Sequence, residues 1–254
     1  MGNKEEKDII IYSRRLVLPT GVGEYGLRIR GGKIREIEAG RALLANTAAE
    51  IYDFGEAVVM AGVIDAHVHI NEPGRTDWEG FDTGTRAAAA GGVTTIVDMP
   101  LNSSPVTTTA TELARKIEAT KGQLHVNCGF WGGIVPDNGD ELLGLAEAGV
   151  LGFKAFLTHS GIDEFPNADE QTLRRAYETL AGLGLPILAH CELTAGDYSK
   201  NLRLQPKSYS AYLASRPKNW ENEAVKLMLR LAKDYKYPTH IVHLSSAEIG
   251  RAHV

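Results

Sequence analysis

The chain has 254 residues, 43% of them hydrophobic and 23% charged, with a formal net charge of −5. That apolar share and balanced charge exclude a disordered chain, and the length suffices for a real buried core. An acidic balance without a Lys/Arg cluster argues against nucleic acid as a partner, and no uncharged apolar run reaches the roughly 18 residues of a membrane helix. Cys128 and Cys191 are too few for a disulfide framework, and the charge-rich start has no apolar signal segment. A cytoplasmic protein with no membrane partner is the expectation.

Residues 9–12, 15–18, 26–30 and 34–37 are short, partly alternating apolar runs. Gly-rich turns such as 31–33 separate them, the pattern of small antiparallel strands, so residues 1–57 read as a β subdomain. From residue 58 the pattern changes. Apolar strand-like runs at 58–70, 93–99, 124–131, 152–157, 186–190 and 239–244 alternate with helix-like stretches at 80–90, 111–121, 139–148, 169–183 and 221–233. In the last stretch Ala224, Leu227, Met228, Leu231 and Ala232 share one face at helical spacing. Repeated βα units with doubly buried strands predict a parallel α/β sheet over 58–248. Their spacing suits a (β/α)8 barrel and an open doubly wound sheet equally.

In parallel α/β folds ligands bind at the carboxyl ends of strands, so polar residues there carry the signal. The first run contains Asp65-Ala66-His67-Val68-His69. Side chains two apart on a strand share a face, so His67 and His69 are placed to pinch a metal. His190 ends the fifth run and His243 lies in the sixth. Four histidines at three strand ends are hard to assign to packing, because each buried imidazole needs hydrogen-bond partners. Metal binding is the reading they favour. Lys154 sits inside an apolar strand between Phe153 and Phe156. Its burial is costly unless it is ion-paired, or unless desolvation lowers its pKa until the neutral amine reacts with carbon dioxide. The residues alone leave both readings open.

The β-rich leader, the His67-Val68-His69 triplet, Lys154 on strand four, and His190 and His243 on strands five and six resemble the amidohydrolase superfamily. The similarity is narrower still to its cyclic amidase branch, and residues 69–81, 98–105 and 154–166 are most similar to the allantoinase family. The resemblance implies a TIM (β/α)8 barrel, here only about six βα units, with residues 1–57 the first part of a small N-terminal β-sandwich. It implies two zinc or other divalent ions, His67 and His69 holding one, His190 and His243 the other. Carbamylated Lys154, its carbamate made from CO2, would bridge them, and these five residues would be the catalytic set. The implied reaction is hydrolysis of a small cyclic amide, allantoin, to allantoate, and the implied assembly of the full-length parent is a homotetramer. The family's eighth-strand aspartate has no counterpart here, and neither Asp65 nor Asp98 is put in its place.

Where dihydroorotases carry an arginine two residues after the histidine pair, this chain has Asn71. An amide suits an uncharged ring better than a carboxylate-bearing one. Asn102, Arg75 and His159 are further candidate substrate contacts. The rivals are a hydantoinase or dihydropyrimidinase, a dihydroorotase, and a non-catalytic dihydropyrimidinase-like scaffold, the last disfavoured because all five ligand positions are intact. Residues 249–254 are expected to be a non-native tail of a truncated reading frame. Six strands cannot close an eight-stranded barrel, so the polypeptide as written is expected to be poorly soluble and inactive.

Overall fold

The computed structural model describes residues 7–195 and 203–250. Two compact units are present, Met1–Gly62 and Val63–Val254.

In the first unit β1 (Asp8–Leu18), β2 (Gly21–Arg30) and β3 (Lys33–Ala39) form an antiparallel meander. The two runs 9–12 and 15–18 are one strand, with a register shift between Ser13 and Leu16. β4 (Glu50–Asp53) and β5 (Val58–Val59) pair with β1 in parallel, correcting the expectation of antiparallel strands throughout. Parallel neighbours need a crossover connection rather than a tight hairpin, and the stretch between β3 and β4 supplies one. The run 58–70 is therefore not a single strand. Val58–Val59 belongs to this sheet, and the next strand starts only after Gly62. The unit is a single five-stranded sheet among the described residues. Ile10, Tyr12, Leu16, Leu27 and Leu43 are buried in it, while Ile34 and Ile37 on β3 are exposed.

In the second unit β6 (Val63–Val68), β7 (Val93–Asp98) and β8 (Asn127–Phe130) make one parallel sheet in chain order. After Trp131, β9 (Gly132–Gly133), β10 (Phe153–Phe156), β11 (Ile187–His190) and β12 (Thr239–Ile241) make another, again in chain order. A doubly wound sheet reverses direction at a switch point, whereas sequential neighbours joined by helices are the order of a barrel. The ambiguity left by spacing is resolved in favour of an arc of a (β/α) barrel. Among the helices are α1 (Phe81–Ala90), α2 (Ala110–Ala119), α3 (Leu142–Glu147), α4 (Glu170–Thr179), α5 (Tyr209–Ala214), α6 (Lys218–Tyr235) and α7 (Ala247–Gly250). Side-chain caps fix several starts: Thr109 accepts from the Glu112 N–H, and Asp169 from the Thr172 N–H. Among the described residues no helix is long and apolar enough to cross a membrane. Ile249, inside the expected foreign tail, is buried in the main core cluster; residues 251–254 of that tail lie outside the described residues.

Strand alternation sorts the barrel residues into two layers. Phe153 and Ala155 of β10 and Ile187 and Ala189 of β11 join the core packed under α3, α4 and α6, with Leu173, Tyr177, Ala224, Met228 and Leu231. Phe156 and Leu188, on the opposite face, join Val97, Met99, Trp131 and Phe165. The register pairs Lys154 with Leu188 and Phe156 with His190, so Lys154 and His190 share this inner side. Replacing the fully buried Phe153 with alanine should cost about 3–5 kcal/mol in denaturant unfolding through cavity formation. Ile37→Ala on exposed β3 should change it by less than about 0.5 kcal/mol. Equal effects would contradict this division between core and surface.

Candidate metal centre

On β6 the alternation puts Val68 and Ile70 against Phe81 and Ile96 on the helix side, leaving His67 and His69 to the inner side. Their ring centroids are 5.3 Å apart. His67 lies 6.0 Å from the stacked ring of His243, and His243 lies 4.7 Å from His190. Residues far apart in the chain thus form one imidazole cluster at the carboxyl end of three strands, the end where parallel α/β sheets build sites. Phe156 stacks on His190 with centroids 4.7 Å apart and planes 12° apart, fixing that ring. The His190 Nδ1 is 3.1 Å from His243 Nε2, and its Nε2 is 3.4 Å from Glu192. Among the described residues no three His, Cys, Asp or Glu side chains are spaced to hold one ion.

Lys154 is the chemical anomaly of this cluster. The side chain is 0% exposed, its Nζ has no hydrogen-bond partner among the described residues, and it lies 4.7 Å over the Phe156 ring. The ion-paired alternative raised by the sequence is therefore not what the structure contains. Burial pushes its pKa down to about 7, so much of the amine is neutral at neutral pH. The histidines are displaced the same way. Burial first, then the charges of His67 and Lys154, lower His69 to about 4. Burial with Lys154 lowers His67 and His243, and burial with His243 lowers His190. Neutral imidazole is the metal-ligating form, so the environment favours ligands over cations.

The expected substrate contacts divide. Asn71 is buried directly after the histidine pair, its backbone paired with Glu79 and Arg75. Asn102, at φ 77°, brings its amide nitrogen 3.5 Å from His69 Nδ1. Asn tolerates this left-handed conformation better than most residues. Arg75 is occupied: it donates to the Asn102 and Ser103 carbonyls and pairs with Glu164 at 2.6 Å, tying three loops together. Gly74 allows that close approach, because a Cβ there would collide with the Ser104 carbonyl oxygen. His159 is exposed and spends both ring nitrogens within its own loop, on the Gly161 N–H and on Asp163.

Near the cluster, Glu192 and Glu221 were missed by sequence reasoning, which named Asp98 but not its partner. Glu192 reaches His190 and pairs with Arg216 at 3.0 Å. Glu221, near the start of α6, accepts from the Ser245 and Ser246 N–H groups and holds the chain just past His243. Asp98 ends β7 and is fully buried against Lys116 of α2. A lysine three residues after Leu113 on the buried stripe of α2 was the available signal for the last pair.

The amidohydrolase family model matches residues 58–249, and the chain belongs to the amidohydrolase family. Among curated relatives, the mitochondrial allantoinase of Aquarana catesbeiana is 45% identical over 94% of this chain and 49% of its own length. The allantoinase of Arabidopsis thaliana is 42% identical over 93% of this chain and 49% of its own length. Among solved structures, the L-hydantoinase (dihydropyrimidinase) of Arthrobacter aurescens superposes with a TM-score of 0.87 at 30% identity, covering 95% of this chain and 54% of that one. The chain spans about half the length of the curated relatives it matches.

A pH test follows from the histidines. His69 titrates near 4 folded and near 6.5 when unperturbed, so between these values the unfolded chain binds more protons. Stability of the metal-free protein therefore rises with pH across that window and is lost as pH falls through it. Unfolding of chelator-treated protein should show a shallower loss in His69→Asn than in the parent between pH 6.5 and 4. Parallel pH profiles would contradict the assignment.

Proposed function

We propose that the protein carrying this sequence is a metal-dependent cyclic amide hydrolase that adds water across a ring amide of allantoin to give allantoate, in the cytosol. The observation that carries the chemistry is Lys154, a buried amine without a hydrogen-bond partner beside four neutral-leaning imidazoles. Attack of its neutral Nζ on carbon dioxide forms an N–C bond and releases one proton to solvent, leaving a carbamate. That converts an orphaned buried donor into an anionic oxygen ligand, which the histidine cluster alone does not offer. His67 and His69 would hold one divalent ion, His190 and His243 the other, and the Lys154 carbamate would bridge them, a donor set that suits zinc. When bound, such a pair supplies a water of lowered pKa and an electrophile for the ring carbonyl.

The chain's own groups do the rest. Phe156 keeps His190 in plane, and burial keeps the imidazoles unprotonated at neutral pH. Asn71 and Asn102 offer amide hydrogen bonds to an uncharged ring and its ureido arm, while Arg75 holds the Asn102 backbone in place. The identity to proteins named allantoinase, above 40% over more than nine-tenths of this chain, supports the choice of ring. A hydantoinase or dihydropyrimidinase is the second reading, favoured by the 0.87 TM-score.

The complete reading frame containing these residues should hydrolyse allantoin faster than hydantoin, dihydrouracil or dihydroorotate, and lose that activity to chelators. Lys154→Ala should lower activity by several orders of magnitude and be partly rescued by small carboxylates. Turnover of another ring without turnover of allantoin would overturn the substrate, and an unimpaired Lys154→Ala would remove the carbamate.

A further inference from the structure

Asp98 and Lys116 are the one buried ion pair in the barrel unit whose two side chains are both essentially inaccessible, at 0% and 1% exposure, among the described residues. Removing two charges from water costs more than a single contact of 2.7 Å usually returns, so stability is a weak reason for such a pair. The remaining hydrogen bonds say what else it does. Asp98 Oδ2 accepts from Lys116 Nζ, while its Oδ1 accepts from the backbone N–H of Ile70 at 2.7 Å. Lys116 Nζ donates also to the Met99 carbonyl.

Ile70 is the residue after His69. The β6–β7 ladder slips between Asp65 and Val68, and its last bond runs from the Met99 N–H to the Val68 carbonyl. At Ile70 a carboxylate side chain takes over from backbone pairing. Ile70 is 1% exposed, so without Asp98 its N–H would be buried and unpaired. Asp98 has the parity of Ile96, facing the helices, so its carboxylate points away from the histidine cluster and toward α2.

We propose that Asp98, locked by Lys116, is a positioning residue that sets the angle at which the chain leaves β6 and so aims His69 into the metal centre. The proposal rests on the functional reading above for the identity of that centre, but its effect is on metal affinity rather than on the choice of ring. Lys116 orients the carboxylate, the carboxylate holds the Ile70 N–H, and that bond fixes the peptide joining His69 to Ile70. His69 then meets His67 and the Asn102 amide without searching.

Two double variants separate positioning from mere stability, both made in the complete reading frame. Asp98→Leu with Lys116→Met removes both charges and the acceptor, filling the space with apolar groups. Asp98→Asn with Lys116→Met removes both charges but keeps an oxygen for the Ile70 N–H. Thermal melting of the metal-free proteins and titration with zinc or cobalt are the readouts, with kcat and KM measured alongside. The Asn/Met double should melt close to the parent, the Leu/Met double somewhat lower because it leaves the Ile70 N–H unpaired, and Asp98→Asn alone, which strands the Lys116 charge, well below it. The Leu/Met double should bind metal roughly tenfold or more weakly, the range seen for groups that orient ligands. The Asn/Met double should recover metal affinity, with KM unchanged in both. Parent-like metal affinity in the Leu/Met double would overturn the proposal, as would equal weakening in both doubles. A parent that binds metal but opens no cyclic amide would sink the functional reading while leaving this comparison decisive; a parent that binds no divalent metal would overturn both.

Discussion

A lysine with no hydrogen-bond partner among the described residues, closed away from water on the inner side of a barrel strand, is the constraint around which the rest of the second unit is arranged. A protonated amine in that place is strongly disfavoured, and among the described residues no carboxylate pairs with it. The energetic tension has three outlets: deprotonation, covalent modification, or unfolding of the strand. β10 is packed too well for the last, since Phe153 and Ala155 anchor its other face in the main core. The first outlet would open the second under the proposed function, because only the free amine adds to carbon dioxide. The same desolvation that suppresses the ammonium also keeps the four imidazoles neutral. Burial, not any one contact, favours the unprotonated form of all five side chains.

Around that cluster the protein uses carboxylates mainly to hold the backbone and neighbouring side chains. Asp98 holds the peptide after His69, Glu221 the peptides after His243, and Glu192 touches His190 while restrained by Arg216. Asp98 ends β7, Glu221 lies on α6, and Glu192 follows His190 just past the end of β11. The loops that would meet a substrate are tied separately, through Arg75, to Glu164 and to the Asn102 and Ser103 carbonyls. Ligand aim and loop placement thus rest on distinct sets of interactions.

The histidine positions were legible in the sequence because strand parity is a local property, whereas spacing suited a barrel and an open sheet equally and only the family resemblance favoured the barrel. His67 and His69 are two apart, and Lys154 and His190 follow apolar runs, so their common face could be read without knowing what lay opposite. The first unit was less legible. β4 and β5 join β1 in parallel by crossovers, a pairing between residues about forty positions apart that no short-range pattern encodes. The same limit hid the Asp98–Lys116 pair: Asp98 was named in the sequence without this role, and only the packing of α2 on β7 reveals that neither charge reaches water. Arg75 was visible as a candidate, but its commitment to Glu164 depends on a loop 89 residues away.

The most direct test of the central claim is carbon-13 NMR of the metal-loaded protein equilibrated with labelled bicarbonate. A carbamate carbonyl resonance is predicted that requires both the divalent metal and Lys154, disappearing on chelation and absent from Lys154→Ala. Stoichiometric metal binding with no such resonance, or a resonance that persists in Lys154→Ala, would contradict the account.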